Sequence, residues 1–427
     1  MKQVRNRGTV VVLAGLGINL ALGILYAWSI FKLSIKESII AGDGTFTWDI
    51  AALNDPYSVC CLVFAFAMIF AGRIQDRLSP RITAIIGGIL TGSGLMVISQ
   101  STSLTAWILG FGVLTGLGIG FGYASATPPA IKWFPSSKTG LIAGIVVAGF
   151  GLASVYIAPL ATVMISKFGL NQTMMIFGIS FFFVVSFFAL FLVNPPENFK
   201  PSDFKLSEDL SKNKQTISVD QLDDITPTEM LKELSFYKLW FMYFVAAGAG
   251  LMIIGGVAGL AKNSMGDMAW VVVALMACGN AAGRVVAGIV SDKIGRMLTM
   301  RIMMVFQAVV ISSLAFVGNS DAMLLVVIAT LIGFNYGTNL SLFPSVTKDY
   351  YGLANFGVNY GFIFTAWGVG GFVLPRISQM IVAQTGTPTT AYIMASIFLC
   401  VGALITFFVK CPNEYEEEVV SPLATTA

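Results

Sequence analysis

Histidine is absent from the 427 residues. That removes Ser–His–Asp triads, imidazole metal sites and the usual proton-relay side chain together. Charge is scarce as well: charged residues make up 11% of the chain, against about 25% in an ordinary soluble domain. The length would otherwise suggest two or three globules, and there is too little charge to coat them. With 25 Lys+Arg against 22 Asp+Glu, the net charge of +3 is too weak to point to a nucleic-acid partner. The five cysteines (Cys60, Cys61, Cys278, Cys400, Cys411) are odd in number, form no CxxC and sit mostly in apolar runs. They read as free, buried thiols, neither staples nor ligands. No metal or cofactor site is expected. What the chain does have is 56% hydrophobic residues and a mean hydropathy of +0.81, so most of its surface is expected to face a lipid bilayer.

Runs of 18 or more apolar residues are candidate transmembrane helices, because about 20 residues at about 1.5 Å each cross a hydrocarbon core of about 30 Å. Twelve are found, near 9–31, 50–72, 82–99, 104–127, 139–165, 172–193, 239–261, 269–290, 299–317, 322–343, 354–381 and 390–409. The first follows Lys2, Arg5 and Arg7 but is too long for a signal-peptide core and lacks a small-x-small cleavage site, so it reads as a retained helix. Nineteen Lys and Arg fall on the side that holds both termini and five on the other, which predicts a multi-pass protein of the plasma (inner) membrane with both termini cytoplasmic. The polar stretch 194–235 reads as a cytoplasmic linker between an N-terminal bundle (1–193) and a C-terminal bundle (236–409), with 410–427 as a cytoplasmic tail. A short helix is predicted from Pro227, capped by Thr226. The acidic run Glu414–Glu418 reads as a solvated terminus.

The halves repeat at a constant offset of 216. Gly72-x-x-x-Asp76-Arg77 recurs as Gly288-x-x-x-Asp292-Lys293; Pro128 and Lys132 recur as Pro344 and Lys348; Pro159 recurs as Pro375. Parallel repeats of this kind predict two six-helix bundles with a site between them. Gly72-Arg-Ile-Gln-Asp76-Arg77 and Gly288-Ile-Val-Ser-Asp292-Lys293-Ile-Gly295-Arg296 resemble the loop signature of the major facilitator superfamily. More narrowly, Leu25-Tyr26-Ala27-Trp28-Ser29-Ile30-Phe31, Glu229-Met230-Leu231 before Phe236 and Trp240, and Phe364-Thr365-Ala366-Trp367-Gly368 resemble the oxalate/formate antiporter and monocarboxylate porter group. The resemblance implies an all-α membrane protein of twelve helices that carries small organic anions by alternating access.

Arg284 stands eight residues before Asp292, so about 12 Å of helix separates it from the loop. A cation that deep is costly unless paired or hydrated. Snorkelling over that distance exceeds the side chain's easy reach, and the sequence offers no mid-span carboxylate, Asp55 and Asp267 lying near outer ends. Arg284 is therefore the candidate anion ligand, its planar fork matching a carboxylate. Asn280, one turn earlier on the same face, either steadies Arg284, bonds the ligand or merely bridges helices. The resemblance implies an Asp at this position in eukaryotic monocarboxylate transporters, tied there to proton coupling; Asn in its place puts a side-chain proton carrier here in doubt.

By the same resemblance Tyr26, Tyr123, Tyr336, Phe364 and Trp367 would line the cavity. Tyr360, Phe364 and Trp367 share a stripe, as do Asn335 and Asn339, whose amides are expected to face the bundle interior with Asn339 at the binding site, although for Tyr26 and Tyr360 ordinary packing reads equally well. In the oxalate carrier of this group a Lys corresponds to Trp367. Two cations suit a dianion, whereas one Arg beside a Trp suits a monoanion, which favours lactate, pyruvate or formate over oxalate. Gly116-x-Gly118-x-Gly120-x-Gly122 and Gly149-x-Gly151 lie within spans and read as surfaces for close helix packing rather than phosphate loops. Pro128-Pro129 reads as a kink or end of the fourth span. Asp76, Arg77, Asp292, Lys293 and Arg296 read as a conformational latch at helix ends.

The sequence thus predicts a secondary transporter, not an enzyme. Its partners would be a small organic anion and, by symport, a proton, and a monomer is expected. Anion exchange is the other open coupling mode. Oxalate:formate antiport, and a carboxylate sensor that moves nothing, are the alternatives.

Overall fold

Inside hydrocarbon every backbone N–H and C=O needs a partner within its own segment, so a chain patterned this way spans as helices. The computed structural model describes residues 6–135, 138–196, 199, 224–265, 269–316 and 321–409. Expectations for Lys2 and Arg5, most of the linker, Asp267, Cys411 and the tail with Glu414–Glu418 lie outside the described residues. All regular elements among the described residues are helical.

The first crossing begins as α1 (Gly8–Leu22) and passes through a 3-10 turn (Gly23–Ala27) into α2 (Trp28–Ala41). Next come α3 (Asp55–Arg77) and α4 (Pro80–Ser99), the latter capped by the Ser79 hydroxyl. The fourth crossing runs from α5 (Leu104–Trp107) through a π segment (Ile108–Thr115) into α6 (Gly116–Lys132). α7 (Thr139–Ala189) is 51 residues long and is broken at Gly169, whose φ of +77° is one that L side chains rarely adopt. It therefore supplies two crossings. Eleven helices are long and apolar enough to cross a membrane; counting α7 twice gives the twelve expected.

After the linker, Thr226 and Glu229 form a reciprocal capping box on α8 (Pro227–Met230). The second half then comprises α9 (Leu234–Met265), α10 (Ala269–Ile294), α11 (Arg296–Ser313), α12 (Ala322–Tyr351), α13 (Phe356–Thr385) and α14 (Thr389–Ile405). Large apolar side chains such as Phe70, Phe183, Phe187 and Val309 are exposed, as a lipid-facing surface requires.

The repeat is visible in space. Lys132 and Lys348 occupy last turns, and Pro128, Pro159, Pro344 and Pro375 all lie inside helices. One expectation is narrowed and one needs correction. Of the kink or end expected at Pro128-Pro129, the end does not hold, because α6 continues to Lys132. Cys278 and Cys400 are exposed, and only Cys60 and Cys61 of the described cysteines are buried.

The glycine-rich runs are packing surfaces, as expected. Gly112, Gly116 and Gly120 lie against Val59, Cys60 and the Phe64 carbonyl of α3, and a Cβ on any of them would come within 3.0 Å of these atoms. Two further glycine seams join the halves. Along α3 and α13, a Cβ on Gly72 would stand 2.2 Å from the Gly357 carbonyl oxygen, and Gly361 and Gly368 continue the contact against Ile69 and Ala65. Along α7 and α10, Gly140 meets the Gly288 carbonyl, Gly144 meets the Arg284 carbonyl, and Gly151 meets Ala281. Both seams start at the linker side and reach about 16 Å inward, eleven residues at the helical rise.

Candidate functional site

Arg284 ends up where the second seam stops. Its side chain is 0% exposed, and no ion pair to it is found among the described residues. Helical side chains lean toward the N-terminus, so Arg284 reaches back one turn, and its Nε donates to Asn280 Oδ1 at 2.9 Å. Nη1 donates to the Val147 carbonyl of α7, in the other half. That approach depends on Gly151, where a Cβ would stand 3.3 Å from Nε. Nη2 is buried without a partner. A guanidinium with one nitrogen unsatisfied and its charge uncancelled is prepared for a carboxylate.

Aromatic side chains from both halves surround it. Tyr26 and Tyr336 join hydroxyls at 2.8 Å, and Trp367 Nε1 donates to the Tyr336 hydroxyl at 2.7 Å. Trp367 stacks on Phe364 with centroids 5.0 Å apart. Phe364 in turn meets Phe64 at 5.0 Å and Tyr123 at 5.5 Å. Phe150 fills the gap between Tyr26 and Tyr123, at 5.1 and 5.4 Å. The Arg284 charge acts electrostatically on the hydroxyls of Tyr26, Tyr123 and Tyr336. Six of the residues expected to bind substrate are thus gathered around Arg284 or its aromatic neighbours: Asn280, Tyr26, Tyr123, Tyr336, Phe364 and Trp367.

Asn339 is not brought into a bond with this group. Its Nδ2 donates to the Asn335 carbonyl on its own helix, and Asn335 ties α12 to α11 through the Met303 carbonyl. An inward-facing amide in a helical bundle can serve helix packing as well as a ligand, and the stripe pattern does not separate the two. Phe64, Phe150 and the Val147 carbonyl were missed. Two are apolar rings in apolar spans, and one is a main-chain atom that no residue type announces.

At the linker-side ends each half's loop aspartate caps a helix of the other half. Asp76 accepts from Val358 N at 3.2 Å, at the start of α13. Asp292 accepts from Gly140 N and Leu141 N at 3.1 and 3.0 Å, at the start of α7. A carboxylate there meets both free N–H groups and the positive end of the helix dipole. Arg296 binds Asp292 at 2.5 Å and Asp349 at 2.8 Å. Arg77 and Lys293 are corrections: both are exposed and take no part in these contacts.

Twelve crossings in two repeated halves, meeting over a buried charge, define a polytopic transporter architecture. The chain matches the Major Facilitator Superfamily over residues 8–255 and again over 239–422, and it belongs to that family. It is 26% identical over 407 residues to an oxalate:formate antiporter of Oxalobacter formigenes, covering 95% of this chain and 92% of that one. An uncharacterized MFS-type transporter, YhjX, of Escherichia coli (strain K12) is 28% identical over 357 residues, 82% of each chain. Monocarboxylate transporter 13 of Rattus norvegicus is 24% identical over 408 residues, 92% of this chain and 87% of that one. Among solved structures, the human organic anion transporter MFSD10 (TETRAN) superposes with a TM-score of 0.71 at 13% identity, over 95% of this chain and all of the other. The protein is a multi-pass membrane protein of the transporter type.

Proposed function

We propose that the protein is a secondary active transporter of small monocarboxylates, of the lactate, pyruvate or formate class, working by alternating access with Arg284 as the anion's ligand. The observation that carries this reading is the fully buried guanidinium at the junction of the halves, uncompensated by any carboxylate among the described residues. A carboxylate arriving there cancels the charge, fills Nη2, and competes with the Val147 carbonyl for Nη1. Because that carbonyl belongs to the opposite half, binding would loosen a contact between halves. The relatives named for oxalate, formate and monocarboxylate transport support the substrate class.

The Trp at position 367, in place of the oxalate carrier's second cation, favours a monoanion; oxalate:formate exchange remains the alternative that the Oxalobacter relative supports. The two halves, 1–193 and 236–409, would rock about the site, with Asp76, Asp292 and Arg296 holding the linker side closed. The cation bias assigns that side to the cytoplasm of a cell (inner) membrane. Exchange is the favoured coupling, because closing around a guanidinium that no anion has neutralised costs several kcal/mol.

Uptake of labelled lactate into proteoliposomes tests the reading. Arg284→Lys and Arg284→Gln are expected to lower uptake at least about a hundredfold while leaving membrane insertion intact, since a buried bidentate contact is lost. Uptake at the wild-type rate in both variants would show the site to be elsewhere.

A further inference from the structure

Beside the Arg284 contacts, three tyrosine hydroxyls lie buried and without a hydrogen-bond partner in one neighbourhood: Tyr123 on α6, Tyr243 on α9 and Tyr360 on α13. Their rings surround Phe364, with centroids 5.5, 6.0 and 5.7 Å from its own. The Tyr360 hydroxyl lies close enough to those of Tyr123 and Tyr243 to interact with each, yet none of the three oxygens makes a hydrogen bond of full geometry. The neighbouring chain Tyr26–Tyr336–Trp367 is the contrast, with each polar atom bonded. One buried phenol without a well-made bond is a packing compromise; three from three helices, drawn from both halves, form a cluster whose capacity to donate and accept is not filled.

The ring positions are already fixed by stacking. Tyr243 stacks on Phe343 at 4.0 Å and 9°, and Tyr360 stacks on Phe356 at 5.8 Å and 13°. Packing therefore accounts for the rings and leaves the oxygens over. The Arg284 charge acts on Tyr123 and Tyr360, so those two stand within electrostatic reach of the anion ligand, and Tyr243 joins them through Tyr360.

We propose that Tyr243 and Tyr360, together with Tyr123, recognise a second oxygen on the substrate, so that the site prefers short acids with an oxo or hydroxyl group beside the carboxylate. This rests on Arg284 holding the carboxylate. An oxo oxygen accepts from the phenols, and a hydroxyl can both donate and accept. A methylene in the same place can do neither and would leave the phenols unpaired. A site built to bond a substrate oxygen discriminates strongly against the analogue that lacks it.

The test compares labelled L-lactate and pyruvate with propionate, which has the same carbon count and no second oxygen. Wild type, Tyr243→Phe, Tyr360→Phe and the double variant are assayed in proteoliposomes. Thermal stabilisation of the purified proteins by each acid reads binding where turnover is low. Phenylalanine keeps both stacks and removes only the oxygen. The expected result is a KM for lactate and pyruvate raised about tenfold per hydroxyl, with propionate unchanged, so the preference collapses. Equal shifts for all three acids, an unchanged preference, or a wild type that does not distinguish propionate would overturn the proposal. Failure of the underlying reading has another signature: carboxylate uptake that survives Arg284→Lys, or no uptake by wild type of the three acids or of formate, which overturns both.

Discussion

Asn280 decides how Arg284 presents itself. Its amide oxygen holds Nε at 2.9 Å but contributes no charge, so the guanidinium stays available to an anion. Asn280→Asp would place a carboxylate in the same contact. The variant is expected to bind lactate about tenfold more weakly at neutral pH, because the internal acid competes for the fork. Uptake should recover as pH falls and the new acid protonates, which a KM-against-pH series measures; a pH-independent KM would count against the competition. Arg284 itself was legible in the sequence, since a charge in the middle of an apolar run stands out. The Val147 carbonyl was not, because its availability depends on where α7 lies and on Gly151 leaving room beside it. For Tyr360 the sequence supports packing and lining equally; pattern alone does not tell whether a phenol oxygen has a partner.

At the scale of helices, the seams explain why small residues recur where they do. Gly72→Ala would set a Cβ 2.2 Å from the Gly357 carbonyl oxygen, and backbone there has no rotamer to yield. α3 and α13 must then part at the linker side. With the native cysteines replaced by serine and a reporter cysteine at buried Ala71, the variant is expected to react faster with a hydrophilic maleimide applied from that side. An unchanged rate would mean the seam does not open there. The helices were readable from hydropathy, but their ends were not: α6 and α12 run on through Pro128, Pro129 and Pro344 to last-turn lysines. In a bundle, neighbouring helices can re-satisfy the backbone groups that a proline frees. The contacts across the halves at the linker side were legible as a pair of aspartates. Which cations join them was not, because Arg77 and Arg296 look alike in sequence and only Arg296 turns inward.

For the whole molecule, two halves that share an offset of 216 also share a division of work: each lends an aspartate to a helix start of the other, and Arg284 reaches across to α7. If reorientation is easier with the guanidinium neutralised, vesicles preloaded with unlabelled lactate should take up label about tenfold faster than empty ones, the ratio expected for a barrier difference of about 1.4 kcal/mol. Equal rates would instead favour net symport, with the proton travelling on the substrate. The twofold organisation could be read from the repeat because proline, glycine and aspartate mark backbone events that both copies need. The glycine seams have one more consequence. Where main chain lies directly on main chain, no side chain can swing to fill a widening gap, so a slight separation forfeits contact without replacement. Intermediate openings are then poorly populated, and the conformational change should resemble a snap between two end positions more than a gradual loosening.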